Sequence, residues 1–199
     1  MKKILFAIAL TTTFAVQAAD NTLAVPAKAA TCVACHGPEG NSTNPLWPNI
    51  AGQHALYLEK QLYDFKKVTT RNVPVMTTIA ATLTDADIKE LSAYYAKLPL
   101  AQNTTPQKFV KRGEAIYRGG DLSKHITACI ACHGPRGTGN NQAGFPVLSG
   151  QHAQYTISQL QAFQQKKRSN DLNEIMRDIS HRMSPEDMEA VAYYIQGLH

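Results

Sequence analysis

All four cysteines of the chain stand in two copies of one phrase, CVACHGPEG at residues 32–40 and CIACHGPRG at residues 129–137. That use of cysteine leaves little freedom in what the chain can build, since two thiols and an imidazole must find the same employment twice. The duplication runs well past the motif. With Cys32 set against Cys129, an offset of 97, WPNIAGQHALYLEKQLYDF meets FPVLSGQHAQYTISQLQAF at an offset of 98. MTTIAATLTDADIKELSAYYAKL then meets MRDISHRMSPEDMEAVAYYIQGL at 100. Two successive units of one fold follow. PLAQNTTPQ, with its prolines and polar residues, reads as the linker between them. The boundaries expected are 20–100 for the first unit, 101–107 for the linker and 108–199 for the second.

The periodicity of both units is helical. Tyr57, Gln61, Leu62 and Phe65 fall on one side of a helix, as do Tyr155, Gln159, Leu160 and Phe163. Thr84 with Asp87, and Ser184 with Pro185 and Asp187, are start signals for a last helix in each unit. Ile88, Leu91, Tyr95 and Leu98 give the first of these helices an apolar stripe, matched by Met188, Val191, Ile195 and Leu198. QKFVKRGEAIYRGG reads as a further helix before the second cysteine pair, where the first unit has only the shorter, proline-containing TLAVPAKAA. No alternating run is long enough for a sheet, so the fold class expected is all-α.

Residues 1–19 are unlike the rest. MKK is basic, ILFAIALTTTFAV is apolar and uncharged, and small residues follow. This is the pattern of an exported, cleaved signal peptide, with cleavage after Ala18 or Ala19. The apolar run is short of the roughly 20 residues of a membrane span. The expected location of the mature chain is therefore the periplasm, soluble or in loose peripheral attachment to a membrane. Without Lys2 and Lys3 the formal charge is +3, with 0 on the first unit and +3 on the second. That is too weak for a nucleic-acid binder, and no basic stripe interleaved with aromatics is present.

Cys-x-x-Cys-His is the attachment signature of c-type haem. Thiols three residues apart on a helical turn can each meet one vinyl group of the porphyrin edge, and the next residue turns its imidazole to the iron. Zinc sites usually place the second cysteine pair some 15–20 residues away, not 97. A thioredoxin-like dithiol needs a strand-helix-strand setting, and two disulfides would leave both histidines without a purpose. Two covalent haem c groups are therefore expected, held by Cys32 and Cys35 and by Cys129 and Cys132, with His36 and His133 on iron. Electron-transfer haems often take a methionine on the other side. Beyond the signal, the first unit has Met76 alone, and the second has Met176, Met183 and Met188. Met176 aligns with Met76, whereas Met183 aligns with Leu83 and Met188 with Ile88. The expected sixth ligands are Met76 and Met176, with Met183 and Met188 in the core.

With CVACHGPEG and CIACHGPRG, AGQHALYLEKQL against SGQHAQYTISQL, the methionine segments and the ending AYYIQGL, the chain resembles the dihaem cytochrome c4 family, built from two class I cytochrome c domains. The resemblance covers nearly all of the mature chain. It implies a single-electron carrier, not an enzyme and without a small-molecule substrate, working between a quinol-oxidising cytochrome bc complex or another donor and a terminal oxidase. It also implies that Pro48 and Pro146 offer their carbonyls to the haem histidines. The haem subunit of a periplasmic dehydrogenase complex, such as a sulfide-oxidising flavocytochrome, would look much the same. A dihaem peroxidase needs an open iron position, which Met76 and Met176 argue against. His54 and His152 are read as polar residues at helix starts, with a haem-propionate or interdomain contact as the alternative. Arg71 and Arg168 are read either as partners of haem carboxylates or as solvated surface charges.

Overall fold

The computed structural model describes residues 23–199. The signal segment, residues 1–19, lies outside them. Nine α-helices occur among the described residues: α1 (Ala29–His36), α2 (Ala55–Lys67), α3 (Pro74–Ala81), α4 (Asp85–Tyr95), α5 (Gln107–Gly119), α6 (Ile130–His133), α7 (Ala153–Gln164), α8 (Ile175–His181) and α9 (Pro185–Gln196). Pairings between extended segments are limited to isolated bridges, such as Arg71 with Arg168. The all-α expectation holds. The helix expected before the second cysteine pair is α5, and it starts at Gln107, the last residue assigned to the linker.

The last helix of each unit begins where the start signals place it. The Thr84 hydroxyl accepts from Asp87 N at 3.1 Å while Asp87 Oδ2 accepts from Thr84 N at 2.8 Å. Ser184 and Asp187 repeat this capping box, with both bonds at 3.2 Å. From there the two apolar stripes enter the core. Ile88, Leu91 and Tyr95 are buried with Ala29 and Leu83 in the first unit. Met188, Val191, Ile195 and Leu198 are buried with Ile116, Tyr117, Leu160 and Met183 in the second. The larger second core reflects α5, which crosses α9 at Gly113. A Cβ there would lie 2.4 Å from the Ala190 carbonyl oxygen and 2.5 Å from Tyr194 Cβ, so only glycine permits the approach.

The units meet through α2, α7 and the loops around them, in a pseudo-two-fold arrangement. Arg71 bonds Gln61 in its own unit and Tyr155 Oη at 2.9 Å and Gln159 Oε1 at 3.1 Å in the other. Arg168 mirrors it, reaching Gln159 Oε1 at 2.9 Å, Tyr57 Oη at 2.8 Å and Gln61 Oε1 at 3.2 Å. Each guanidinium also lies over a ring of its own unit, Arg71 over Phe65 at 4.4 Å and Arg168 over Phe163 at 4.5 Å. The solvated-charge reading of these arginines is wrong, because both are buried and 5% and 7% exposed. Helical periodicity cannot reveal a face that is covered by the other half of the same chain. The linker is tied down as well. Pro99 O accepts from Asn41 Nδ2, Gly150 O from Asn103 Nδ2, and Tyr193 O from the Thr105 hydroxyl.

Candidate haem-binding sites

Each cysteine pair sits on a helical turn that carries the histidine at its end. Cys32, Cys35 and His36 lie on α1, while Cys129 is the N-cap of the one-turn α6, which holds Cys132 and His133. Gly37 and Gly134 then stop the two helices at φ 78° and 75°, a left-handed turn that favours glycine. The chain doubles back. Gly40 O accepts from Ile50 N at 2.8 Å and Ala51 N at 3.0 Å, and Gly137 O accepts from Leu148 N at 2.7 Å and Ser149 N at 3.1 Å. This return lays Pro48 over His36 and Pro146 over His133.

The result is the same hydrogen bond twice: His36 Nδ1 to Pro48 O at 2.8 Å and His133 Nδ1 to Pro146 O at 2.9 Å. A carbonyl only accepts, so Nδ1 carries the proton in both rings. Burial lowers the pKa of both imidazoles, and the proline bond opposes it only in part, so the rings are held neutral. In the neutral tautomer the lone pair is on Nε2, the form in which histidine ligates a metal. The proline contacts that the family resemblance implied are thus in place.

All four cysteines are free thiols, partly buried. Burial raises the pKa of Cys32 and pushes that of Cys129 up to about 12. A catalytic dithiol needs the opposite shift, so neither Cys32 nor Cys129 is tuned as a reactive thiolate. Among the described residues, no three His, Cys, Asp or Glu side chains converge as a protein-only metal site would require. The buried Tyr95 hydroxyl faces the Cys32 thiol and has no nitrogen or oxygen partner within the protein. A thiol pair and an oriented, neutral imidazole in each unit fit a haem c in each half.

The methionines divide by burial. Met183 and Met188 are 4% and 1% exposed in the core, as are their repeat partners Leu83 at 5% and Ile88 at 0%. Met76 on α3 and Met176 on α8 are only half-buried, at equivalent places in the two units. His152 stands at the N-cap of α7 and also makes the interdomain contact given as the alternative, its Nε2 reaching Ser42 O of the first unit at 2.8 Å. His54 Nε2 is buried without a partner. Sequence reasoning also passed over Gln53 and Gln151, buried at the interface. Their recurrence before each histidine at an offset of 98 was the available signal.

Two helical units, each with a thiol pair and an oriented histidine, define a c-type cytochrome with two covalent haem sites. The cytochrome c family model matches residues 26–99 and again 110–199. Cytochrome c4 of Thiocapsa roseopersicina is 45% identical over 168 residues, spanning 84% of this chain and 86% of that protein. The crystal structure of reduced recombinant cytochrome c4 from Pseudomonas stutzeri superposes with a TM-score of 0.83 at 42% identity, over 86% of this chain and 95% of that one. A thiosulfate dehydrogenase (TsdBA) structure from Marichromatium purpuratum gives 0.75 at 34% identity, over 83% of this chain but 36% of that one. The chain belongs to the dihaem cytochrome c4 family.

Proposed function

We propose that this chain is a periplasmic single-electron carrier of a respiratory chain, taking electrons from a quinol-oxidising cytochrome bc complex or another donor and passing them towards a terminal oxidase. In this reading residues 1–19 direct export, and residues 20–100 and 108–199 are the two haem domains. Bound haem supplies a one-electron couple. Cys32, Cys35, Cys129 and Cys132 would anchor it, and His36 with Met76 and His133 with Met176 would supply the side-chain ligands to iron. The observation that carries the proposal is the pair of Nδ1–proline bonds, which fix two neutral imidazoles alike in two buried settings. A carrier needs this fixity, so that the ligand set is the same before and after each electron. The thioethers of Met76 and Met176 as iron ligands would favour the ferrous state and keep the iron closed to substrates.

The alternative, a haem subunit of a periplasmic dehydrogenase complex, draws on the likeness to the thiosulfate dehydrogenase structure. Purification separates the two readings, because a subunit comes with a catalytic partner and a carrier comes alone. The ligand assignment is tested by substitution. Met176→Ala should remove about half of the absorption band of methionine-ligated ferric haem and open one iron to cyanide. Met76→Ala should do the same at the other haem. A band unchanged in either variant contradicts the assignment.

A further inference from the structure

Pro48 C=O and Asn49 N–H are the two poles of one peptide group. Its oxygen takes the proton of His36 Nδ1 at 2.8 Å. Its N–H donates to Gln151 Oε1, a residue of the other unit, at 2.9 Å. The mirror image holds in the second unit. Pro146 O takes the proton of His133 Nδ1 at 2.9 Å, and Val147 N–H donates to Gln53 Oε1 at 2.9 Å. Each glutamine amide is locked in this sense, because its Nε2 faces a carbonyl: Gln151 Nε2 donates to Asn49 O at 2.8 Å and Gln53 Nε2 to Val147 O at 2.9 Å. Both side chains are buried, so water does not compete for these bonds.

We infer that Gln53 and Gln151 are positioning residues acting across the domain boundary, each tuning the axial histidine of the opposite unit through the peptide it clamps. Accepting from a peptide N–H polarises that peptide and makes its carbonyl a stronger acceptor, by about 10–30% per bond in a chain of hydrogen bonds. A stronger acceptor at Nδ1 pulls the proton away from the ring and raises the basicity of Nε2. A more basic ligand favours ferric iron. Each glutamine therefore lowers the potential of the other unit's haem, and anything that parts the units raises both. The inference rests on His36 and His133 being the iron ligands.

The test is proton NMR of the diamagnetic ferrous dihaem protein, with the Nδ1–H of both histidines assigned. Gln151→Leu should move the His36 Nδ1–H resonance upfield, leave that of His133 in place, and raise the potential of the first haem alone. Gln53→Leu should do the reverse. The change in the ferric-to-ferrous ratio at fixed potential should stay below about tenfold, as one bond polarises the next only partially. Asn170→Ala removes interface bonds to Gln61 and Asp64 without touching either glutamine, and should shift neither resonance. In the unmutated protein, scalar coupling should appear between Asn49 N and the Gln151 side-chain carbonyl carbon, a readout that survives a variant failing to fold. A shift at the same unit's histidine, at both or at neither overturns the inference, as does an Asn170→Ala shift of equal size or an absent coupling. Failure of the ligand reading shows separately, as imidazole resonances without the ring-current shift of a haem ligand in the unmutated protein.

Discussion

In the second unit α5 lies across α9 at Gly113 and seals the core with Ile116 and Tyr117, both fully buried. In the first unit the described chain from Leu23 to Lys28 forms no helix, and Ala29 of α1 enters the core directly. The second unit has a further brace. Asp187 is buried and accepts from Arg112 on α5 and from Lys124 in the short turn after α5, the latter at 2.6 Å. Its repeat partner Asp87 has the capping box and, among the described residues, no ion pair. Yet the histidine–proline geometry agrees to within 0.1 Å between the units. Two differently braced scaffolds deliver one site. The site must therefore be set by the shared part, the loop from the glycine after each histidine to the following helix, and not by the helix in front of the cysteines.

That comparison can be broken at α5. Gly113→Val forces the helix off Ala190 and Tyr194, and should cost roughly 3 kcal/mol, the upper part of the range for overpacking. Hydrogen exchange should show the loss in the second unit alone, with its histidine–proline bond intact in the folded state. Equal loss of protection in both units would mean that they do not differ as described.

The buried carboxylate gives a smaller effect with a pH signature. Burial would raise the pKa of Asp187, but the bonds from Lys124 and Arg112 outweigh it and hold the group at about 2. A depressed carboxylate stabilises the fold above its unfolded value of about 3.9. That stability is lost as pH falls from there through the folded value of about 2. Asp187→Asn should cost about 1.5–3 kcal/mol at neutral pH, the range for hydrogen bonds to charged groups. It should also flatten the acid limb of the second unit's unfolding curve between roughly pH 4 and 2. Asp87→Asn should cost less, and a larger effect there would reverse the contrast.

Smallest of all should be Met183→Leu, which copies Leu83 of the first unit. A nearly volume-conserving change in the core should cost under about 1.5 kcal/mol and leave the methionine–haem band untouched. Loss of the band would show that the 100-residue offset between Met76 and Met176 had misled the assignment.

Much of this was legible in the sequence because it repeats. The capping boxes, the apolar stripes and α5 follow from local periodicity and start signals. The proposal of Met76 and Met176 as iron ligands rests on alignment of the halves, which also placed Met183 and Met188 in the core. What the sequence hid lies between the halves. Arg71 and Arg168 are charged residues just past a helix end, and nothing local says that the other unit covers them with tyrosine and glutamine. Gln53 and Gln151 look like ordinary polar residues before a helix. Their meaning depends on which peptide stands opposite, a tertiary fact. For His152, at a helix start as read, the same tertiary fact decides between the local role and the interdomain contact.

The account stands on each unit holding one haem with a single one-electron couple. The direct measurement is a redox titration of the mature chain with covalent haem quantified per chain by mass. The result predicted is two haems and two one-electron steps per chain. One haem, or two disulfides and none, would contradict it.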